Sequence, residues 1–412
     1  MNNIKKGKGF GVLIWRITLT CCLILVLPGA FASAQEAKIR IGAAVSMTGT
    51  LAKEGSLLKK GYETWAEWVN QRGGVNVGGT PNKVEVIYYD DKGDATTSAK
   101  LTEKLITEDK VNLILSPYSS GIVAATSSIA EKYGYVTLAP MANGDFLYER
   151  GFKYLFSVIA MASQVHIPIV ELAVKQTPKP KTFAMAVLDN AYTLTVAEGL
   201  RKRSQELGLQ EVYYGKFPFN MSDFSGILTT IKSKEPDLLF FGGFFPHATS
   251  FYRQAKELNV NSKLYTTTGT SNLPDWVSTM GKDGDYVLAE EHWSPEMRYK
   301  GSFLTTESFV DYWVRKHGEQ QLNQWGSSGF VSGILIQLAI GKAGSLDQTK
   351  IKDALRTMEV ETFWGKFKFD EKGKNIAARC GVTQIQNGKK VLVDPPRPGV
   401  KLIYPPPSWK ER

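Results

Sequence analysis

The chain has 412 residues, with 50 lysines and arginines against 40 acids, 43% hydrophobic and 22% charged residues. That profile is globular and excludes collagen-like, disordered and multi-span membrane classes. The formal charge of +10 is partly local: residues 1–34 carry Lys5, Lys6, Lys8 and Arg16 and no acid, and without them 46 bases face 40 acids, a net +6. The remaining bases are dispersed among acids, without the basic stripe or aromatic platform that a nucleic-acid backbone requires, so no nucleic-acid partner is expected.

The N-terminus reads as an export signal. A basic region through Arg16 precedes an apolar run from Ile17 to Phe31, and Ala32-Ser33-Ala34 supplies the small residues of a cleavage site. Cleavage is expected before Gln35, giving a signal peptide over 1–34 and a periplasmic mature chain. The run is interrupted by Pro28 and is shorter than a bilayer span. Cys21 and Cys22 fall inside it, leaving Cys380 alone in the mature chain, where one thiol cannot make an intrachain disulfide. The four histidines, His166, His247, His292 and His317, are too scattered to suggest a zinc site, so neither metal nor cofactor is expected.

From Gln35 onward, short β-branched runs alternate with amphipathic stretches. The pattern predicts strands at Ile39–Val45, Val84–Tyr89, Val111–Leu115, Tyr135–Leu138, Thr182–Leu188, Val212–Phe217, Asp237–Phe241 and Leu264–Thr267. Helices are predicted between them at Leu57–Gln71, Thr96–Glu108, Ile122–Lys132, Leu194–Leu207 and Ala248–Leu258. This is the α/β class, with βαβ units around parallel sheets. Two stretches share one plan: Val111 to Pro140, with the loop Ser116 to Gly121, and Asp237 to Thr267, with the loop Gly242-Gly243-Phe244-Phe245-Pro246. They predict two similar lobes whose loops, lying beyond the carboxyl ends of parallel strands, wall a shared cleft. Near the end, Val382–Gln386 and Val391–Val393 flank the hairpin signal Asn387-Gly388, and a proline-rich tail follows.

No catalytic constellation emerges. The chain lacks a nucleophile elbow, a His-Glu-x-x-His pair, a Walker loop and a dinucleotide fingerprint after a strand. The adjacent acids Asp90-Asp91 and Glu290-Glu291 point to opposite faces if they lie on strands, which disfavours them as acid/base pairs. His247, after the glycine-aromatic loop, reads as a helix-start residue before it reads as a base. Ser119 and Ser120 stand at a predicted helix start, where hydroxyls and free N–H groups suit an anion. Two consecutive phenylalanines, Phe244 and Phe245, cannot both enter one core, so one is expected to line a cavity. The protein is therefore not expected to be an enzyme.

Several landmarks occur together in order: Ile41-Gly42 with Thr48-Gly49, Asp90-Asp91, Ser119-Ser120-Gly121, Ala139-Pro140, Tyr192, Gly242 to Pro246, Ala343 to Asp347, and Thr362 to Asp370. From Ile39 to Val393 the chain resembles the leucine/isoleucine/valine-binding protein family, the type I periplasmic solute-binding components of ABC importers. The resemblance implies two Rossmann-like lobes with parallel sheets joined by a three-segment hinge, the type I periplasmic-binding fold. Lobe 1 would comprise 35–159 plus 287–374, and lobe 2 would comprise 160–286 plus 375–412. It also implies capture of a small carboxylate or amino acid between the lobes and its delivery to a membrane permease. A ligand-sensing receptor module of the same fold, or less readily an exported hydrolase, is the alternative.

By the same resemblance Ser120 matches a serine that holds the ligand carboxylate, Met141 a backbone carbonyl and Asn143 a side chain and backbone contact. Tyr192 and Phe245 match aromatic walls of the second lobe. Tyr118, Ser119, Ala142, Phe244 and Thr270 are further candidates in the same loops. One departure stands out: branched-chain amino-acid binders carry an acid just after the strand that corresponds to Leu264–Thr267, whereas this chain reads Thr268-Gly269-Thr270-Ser271. Either the ligand lacks an ammonium group or another acid, such as Glu54 or Glu291, replaces the missing one. Trp293 is a further candidate, suited to an aromatic or branched carboxylate.

Overall fold

The structure is a computed structural model that describes residues 38–412. The expected signal peptide, with Cys21 and Cys22, lies outside the described residues. Two sheets organise the chain. The first contains β1 (Lys38–Val45), β2 (Val75–Val77), β3 (Thr80–Asp90), β4 (Leu113–Leu115), β5 (Thr137–Ala139) and β6 (Leu155–Ser157), in the order β2-β3-β1-β4-β5-β6. All pairs are parallel except the β2–β3 hairpin. The second contains β7 (Thr182–Leu188), β8 (Gln210–Phe217), β9 (Leu238–Gly242), β10 (Leu264–Thr267) and β11 (Val287–Glu291), all parallel.

A small ribbon, β12 (Glu359–Thr362) with β13 (Gly365–Lys368), precedes the antiparallel pair β14 (Gly381–Gln386) and β15 (Lys389–Asp394), which extends the second sheet beyond β11. Asn387 and Gly388 both have positive φ, 51° and 69°, as a two-residue hairpin turn requires. The eight predicted strands and five predicted helices of the N-terminal two thirds are all present, with ends shifted by a few residues. The proline-rich tail packs on the second lobe through Trp409, a buried side chain whose Nε1 donates to Val260 O at 2.6 Å.

The chain passes between the sheets three times: between β6 and β7, after β11, and between β13 and β14. The strand at 287–291, which the expected boundary at 286/287 gives to the first lobe, is paired in the second sheet with β10 and β14. The chain therefore returns to the first lobe only after Glu291. There the helix Gln324–Ala343, nearly all buried, crosses the helix Ala52–Gln71 at glycines. A Cβ on Gly61 would lie 2.0 Å from Gly326 O, and one on Gly333 would lie 1.9 Å from the Trp65 ring. Backbone contact at this crossing, with Trp65 and Trp68 packed beside it, fixes the first lobe's outer layer.

In both lobes, helices begin where parallel strands end. The helix Ser120–Tyr133 follows β4 and stops at Gly134, whose φ of 69° suits a glycine cap. The helix Phe245–Glu257 follows β9, with Pro246 in its first turn. The order of strands reverses around β1 and β4 in one sheet and around β7 and β9 in the other, and these switch points open the crevice where ligands of parallel sheets sit. Among the described residues, no single helix is long and apolar enough to cross a membrane.

Candidate functional site

The two loops expected to wall a cleft do meet. Tyr118, from the loop after β4, and Phe244, from the loop after β9, pack edge to face with ring centroids 6.4 Å apart. Around them a cavity is lined by Ser119, Ser120, Met141, Asn143 and Ile159 from the first lobe and by Tyr192, Phe244, Thr268 and Gly269 from the second. Glu290, His292, Gln324 and Trp325 complete it. Most of these residues lie just beyond the carboxyl end of a strand. A larger groove of about 830 Å³ between the helix Thr306–His317 and Arg397 to Val400 is a surface feature lined by Arg298, Arg315 and Glu319.

The first-lobe wall is built to face an acceptor. Ser119 caps the helix Ser120–Tyr133, its Oγ accepting from Ile122 N at 3.4 Å, with a strained φ of 78°. Ser120 Oγ accepts from Gly144 N at 3.0 Å, so its own proton is left to donate. The first N–H groups of the helix have no carbonyl within it and add the positive end of its dipole. Asn143 Nδ2 donates to Ala160 O at 2.5 Å, which fixes the amide orientation because a carbonyl only accepts, and Oδ1 is buried without a partner.

The second-lobe wall is held by ties between its loops. Gly243 N donates to Thr268 Oγ1 at 3.2 Å, and that hydroxyl donates back to Gly243 O at 2.9 Å. His247 Nε2 donates to Phe219 O at 2.7 Å, leaving Nδ1 to accept from Phe244 N at 3.3 Å. His247 is thus a buried helix-start residue that orients Phe244, and burial lowers its pKa. Two crossing segments meet here as well: His166 Nε2 lies 2.9 Å from Glu290 Oε2, and Tyr192 OH donates to Glu290 Oε1 at 3.4 Å. Burial, and then the charge of Glu290, drives the Tyr192 phenol well above its ordinary value. His292, desolvated, is pushed down to about 4, so it is neutral at neutral pH; its Nδ1 lies 3.2 Å from Cys380 Sγ.

Of the residues expected from the sequence, Tyr118, Ser119, Ser120, Met141, Asn143, Tyr192 and Phe244 are brought together at the cavity. Six are not. Ala142 lies behind it, its carbonyl taken by Tyr148 OH at 2.9 Å. Phe245 turns away to Trp276, with centroids 6.3 Å apart, and beneath Lys53 Nζ at 4.9 Å. Lys53 also pairs with Asp275, an edge contact between the lobes. Thr270 is buried in the turn Thr270–Asn272, beside the lining pair Thr268 and Gly269. Trp293 stacks on Trp364 in the first lobe's core, centroids 5.8 Å apart.

The two acids proposed as substitutes lie elsewhere. Glu54 is buried in the first turn of its helix. Glu291 pairs with Lys390 at 2.9 Å, and burial still pushes it up to about 7. The acid at the cavity is Glu290, its neighbour, because successive residues of β11 face opposite sides. With Glu290, the lining residues that the sequence reading missed are Ile159, Thr268, Gly269, His292, Gln324 and Trp325. The dipeptide Glu290-Glu291 was visible as a pair; only the parity of the strand separates its members.

Comparison with known proteins now fits this geometry. The periplasmic binding protein family matches residues 38–390. The chain belongs to the periplasmic binding protein family. Among its relatives is a Leu/Ile/Val-binding protein of Rhizobium johnstonii, 24% identical over 385 residues that cover 92% of this chain and 99% of the relative. A leucine-, isoleucine-, valine-, threonine- and alanine-binding protein of Pseudomonas aeruginosa is 25% identical, covering 81% of this chain and 86% of its own length. The fold is shared with a branched-chain amino-acid substrate-binding protein of Streptococcus pneumoniae solved with isoleucine, at a TM-score of 0.76, 23% identity and coverage of 89% and 100%. It is shared equally with a solute-binding protein of R. palustris solved with benzoate, at a TM-score of 0.75, 19% identity and coverage of 87% and 96%. The resemblance to leucine/isoleucine/valine-binding proteins and the two-lobed α/β architecture are thereby established for this periplasmic binding protein.

Proposed function

We infer that this protein captures a small carboxylate solute between its two lobes, outside the cytoplasm, and hands it to the permease of an ABC importer without chemically changing it. The observation that carries the reading is the cavity itself. Hydroxyls and a helix N-terminus on one lobe, able to bind an anion, face an aromatic wall on the other, with Tyr118 and Phe244 closing over the space between. Neither serine of the cavity is hydrogen-bonded to a histidine: Ser119 Oγ accepts from Ile122 N and Ser120 Oγ from Gly144 N.

The closed arrangement encloses about 20 Å³, room for about one water, so a solute the size of an amino acid or a benzoate enters only when the lobes part. Contacts to both walls then form only on closure, and the differential affinity draws the lobes together. Lobe 1, on this reading, comprises 38–159 plus 292–374, where Phe369 packs on Phe156 with centroids 5.2 Å apart and Gly373 O accepts from Ser157 N at 2.8 Å, and lobe 2 comprises 160–291 plus 375–412. The relatives' recorded ligands, isoleucine and benzoate, share a carboxylate and an apolar body, which are the features these walls recognise. Titration calorimetry of the unfolded and refolded protein against amino acids and aromatic and aliphatic acids tests the reading. Saturable binding of at least one carboxylate supports it, and heat-silent titrations throughout the panel contradict it.

A further inference from the structure

We propose that a second cavity, on the hinge, binds a small organic anion and biases the lobes toward one arrangement. This cavity measures about 250 Å³ and adjoins the solute cavity, with Ile159 and His292 belonging to the walls of both. It is built on the crossing segments: Ile159 and Ala160 come from the first, His292 from the second, and Asn375 and Arg379 from the third. The lobe boundaries drawn above, on either side of Ala160, His292 and Asn375, therefore all run along its wall.

Asn375 holds the frame together. Its side chain is buried; Nδ2 donates to Val158 O at 3.1 Å, and Oδ1 accepts from Ala377 N at 3.2 Å and from Lys368 N at 3.3 Å. The third crossing segment is thereby tied to the first and to the ribbon β12–β13, which brings Trp364 and Lys366 to the cavity. A ligand seated here touches a lobe 1 ribbon and all three hinge segments at once.

The lining suits an anion with a flat apolar body. Lys366 and Arg379 have no carboxylate at ion-pair distance among the described residues, whereas nearby lysines do: Lys368 pairs with Glu359 at 2.9 Å and Lys374 with Glu149 at 2.7 Å. Glu361, opposite Lys366 in the ribbon, accepts instead from Lys300 N at 2.9 Å. Tyr299 and Trp364 add aromatic surface beside the two cations. Pockets for drug-sized ligands start at roughly 300 Å³, so this one takes a smaller body, such as a single ring with its charges. The solute cavity, by contrast, has no lysine or arginine in its lining among the described residues.

When the lobes rotate, residues on either side of the boundaries shift against each other, so the cavity differs in shape between open and closed states. An anion that fits one shape better draws the protein toward that state, and solute and anion then change each other's affinity by the same factor.

The test is calorimetry on the refolded protein with phthalate, succinate and inorganic phosphate, repeated on the double variant Lys366→Gln/Arg379→Gln and on Ser120→Ala, with small-angle scattering of the same samples. Both cations are exposed, so the double variant should fold. Phthalate is expected to bind wild type and Ser120→Ala alike, to weaken about tenfold or more in the double variant, and to change the radius of gyration of the wild type alone. Phosphate binding as tightly as phthalate overturns the assignment to an organic anion, and binding with an unchanged radius overturns the coupling to the lobes. Phthalate that survives in the double variant but is lost in Ser120→Ala sits in the solute cavity, which removes the hinge site and leaves solute capture standing. Failure of all three probes to bind the wild type overturns the hinge site without touching the solute reading.

Discussion

Replacing Glu54 by glutamine should stabilise the protein at pH 8 and leave it unchanged at pH 4. The side chain is 1% exposed, and its Oε1 has no hydrogen-bond partner. Burial raises its pKa from 4.5 to about 7, against the opposing pull of its own backbone amide and of Lys53. An acid whose folded pKa is raised binds its proton more tightly in the native state. Its contribution is therefore intact below the unfolded value of 4.5 and is lost progressively as pH rises to 7. The difference of about 2.5 units corresponds to roughly 3 kcal/mol. Glutamine keeps the shape and has no charge to desolvate, so the variant should gain about 3 kcal/mol over wild type at pH 8, or about 4 °C in a domain of this length.

Glu291 titrates over the same range, so the wild-type pH profile alone does not isolate Glu54; the difference between variant and wild type does. Urea melts or calorimetric scans of both proteins at pH 4, 6 and 8 give that difference. A constant offset across pH would show that Glu54 does not change protonation in this window, and a variant weaker at pH 8 would show that the carboxylate is stabilised where it sits.

Three further outcomes follow from the packing and the cavity. Ser120→Ala removes the hydroxyl donor offered to the solute carboxylate and should weaken its binding by about 1–3 kcal/mol by calorimetry, with the fold retained; unchanged affinity takes Ser120 out of the site. Phe244→Ala should weaken solutes with bulky apolar groups more than small ones, whereas Phe245→Ala should lower stability by roughly 3 kcal/mol with no such selectivity, because only Phe244 lines the cavity. Reversal of the two patterns would assign the aromatic wall to the other ring. Gly61→Ala would place a methyl 2.0 Å from Gly326 O, forcing the helices apart, and should cost about 1–3 kcal/mol in a denaturant melt despite alanine's better helix propensity. An unchanged midpoint would mean that the crossing is loose.

Much of this was legible in the sequence because local signals and tertiary demands agree. Apolar runs such as Thr182–Leu188 are strands buried at every residue after the first, and Asn387-Gly388 closes its hairpin as two-residue turns do. The repeated strand, loop, helix and strand plan at 111–140 and 237–267 correctly gave the loops that meet across the cavity, down to Ser120 and one of the two phenylalanines. Which phenylalanine depends on the entry angle of the helix Phe245–Glu257, and that angle is fixed by His247 and Phe219 through tertiary hydrogen bonds.

The same limit hid Glu290. An acidic pair at the end of a strand has one member on each face, and the choice of face follows from pairing with β10 and β14, which no local pattern reveals. Gln324 and Trp325 come from more than thirty residues downstream, at the start of a helix whose near-total burial erases the amphipathic stripe that would have shown which side faces the cavity.

Capture of a carboxylate between the lobes is tested most directly by thermal melts of the refolded protein and its Ser120→Ala variant with the same panel of amino acids and simple acids. A true solute at about a hundred times its dissociation constant should raise wild-type stability by about 2.7 kcal/mol, and the gain should fall in the variant at the same concentration. A panel that leaves the wild-type melt unmoved, or a shift that the serine substitution does not touch, would contradict it.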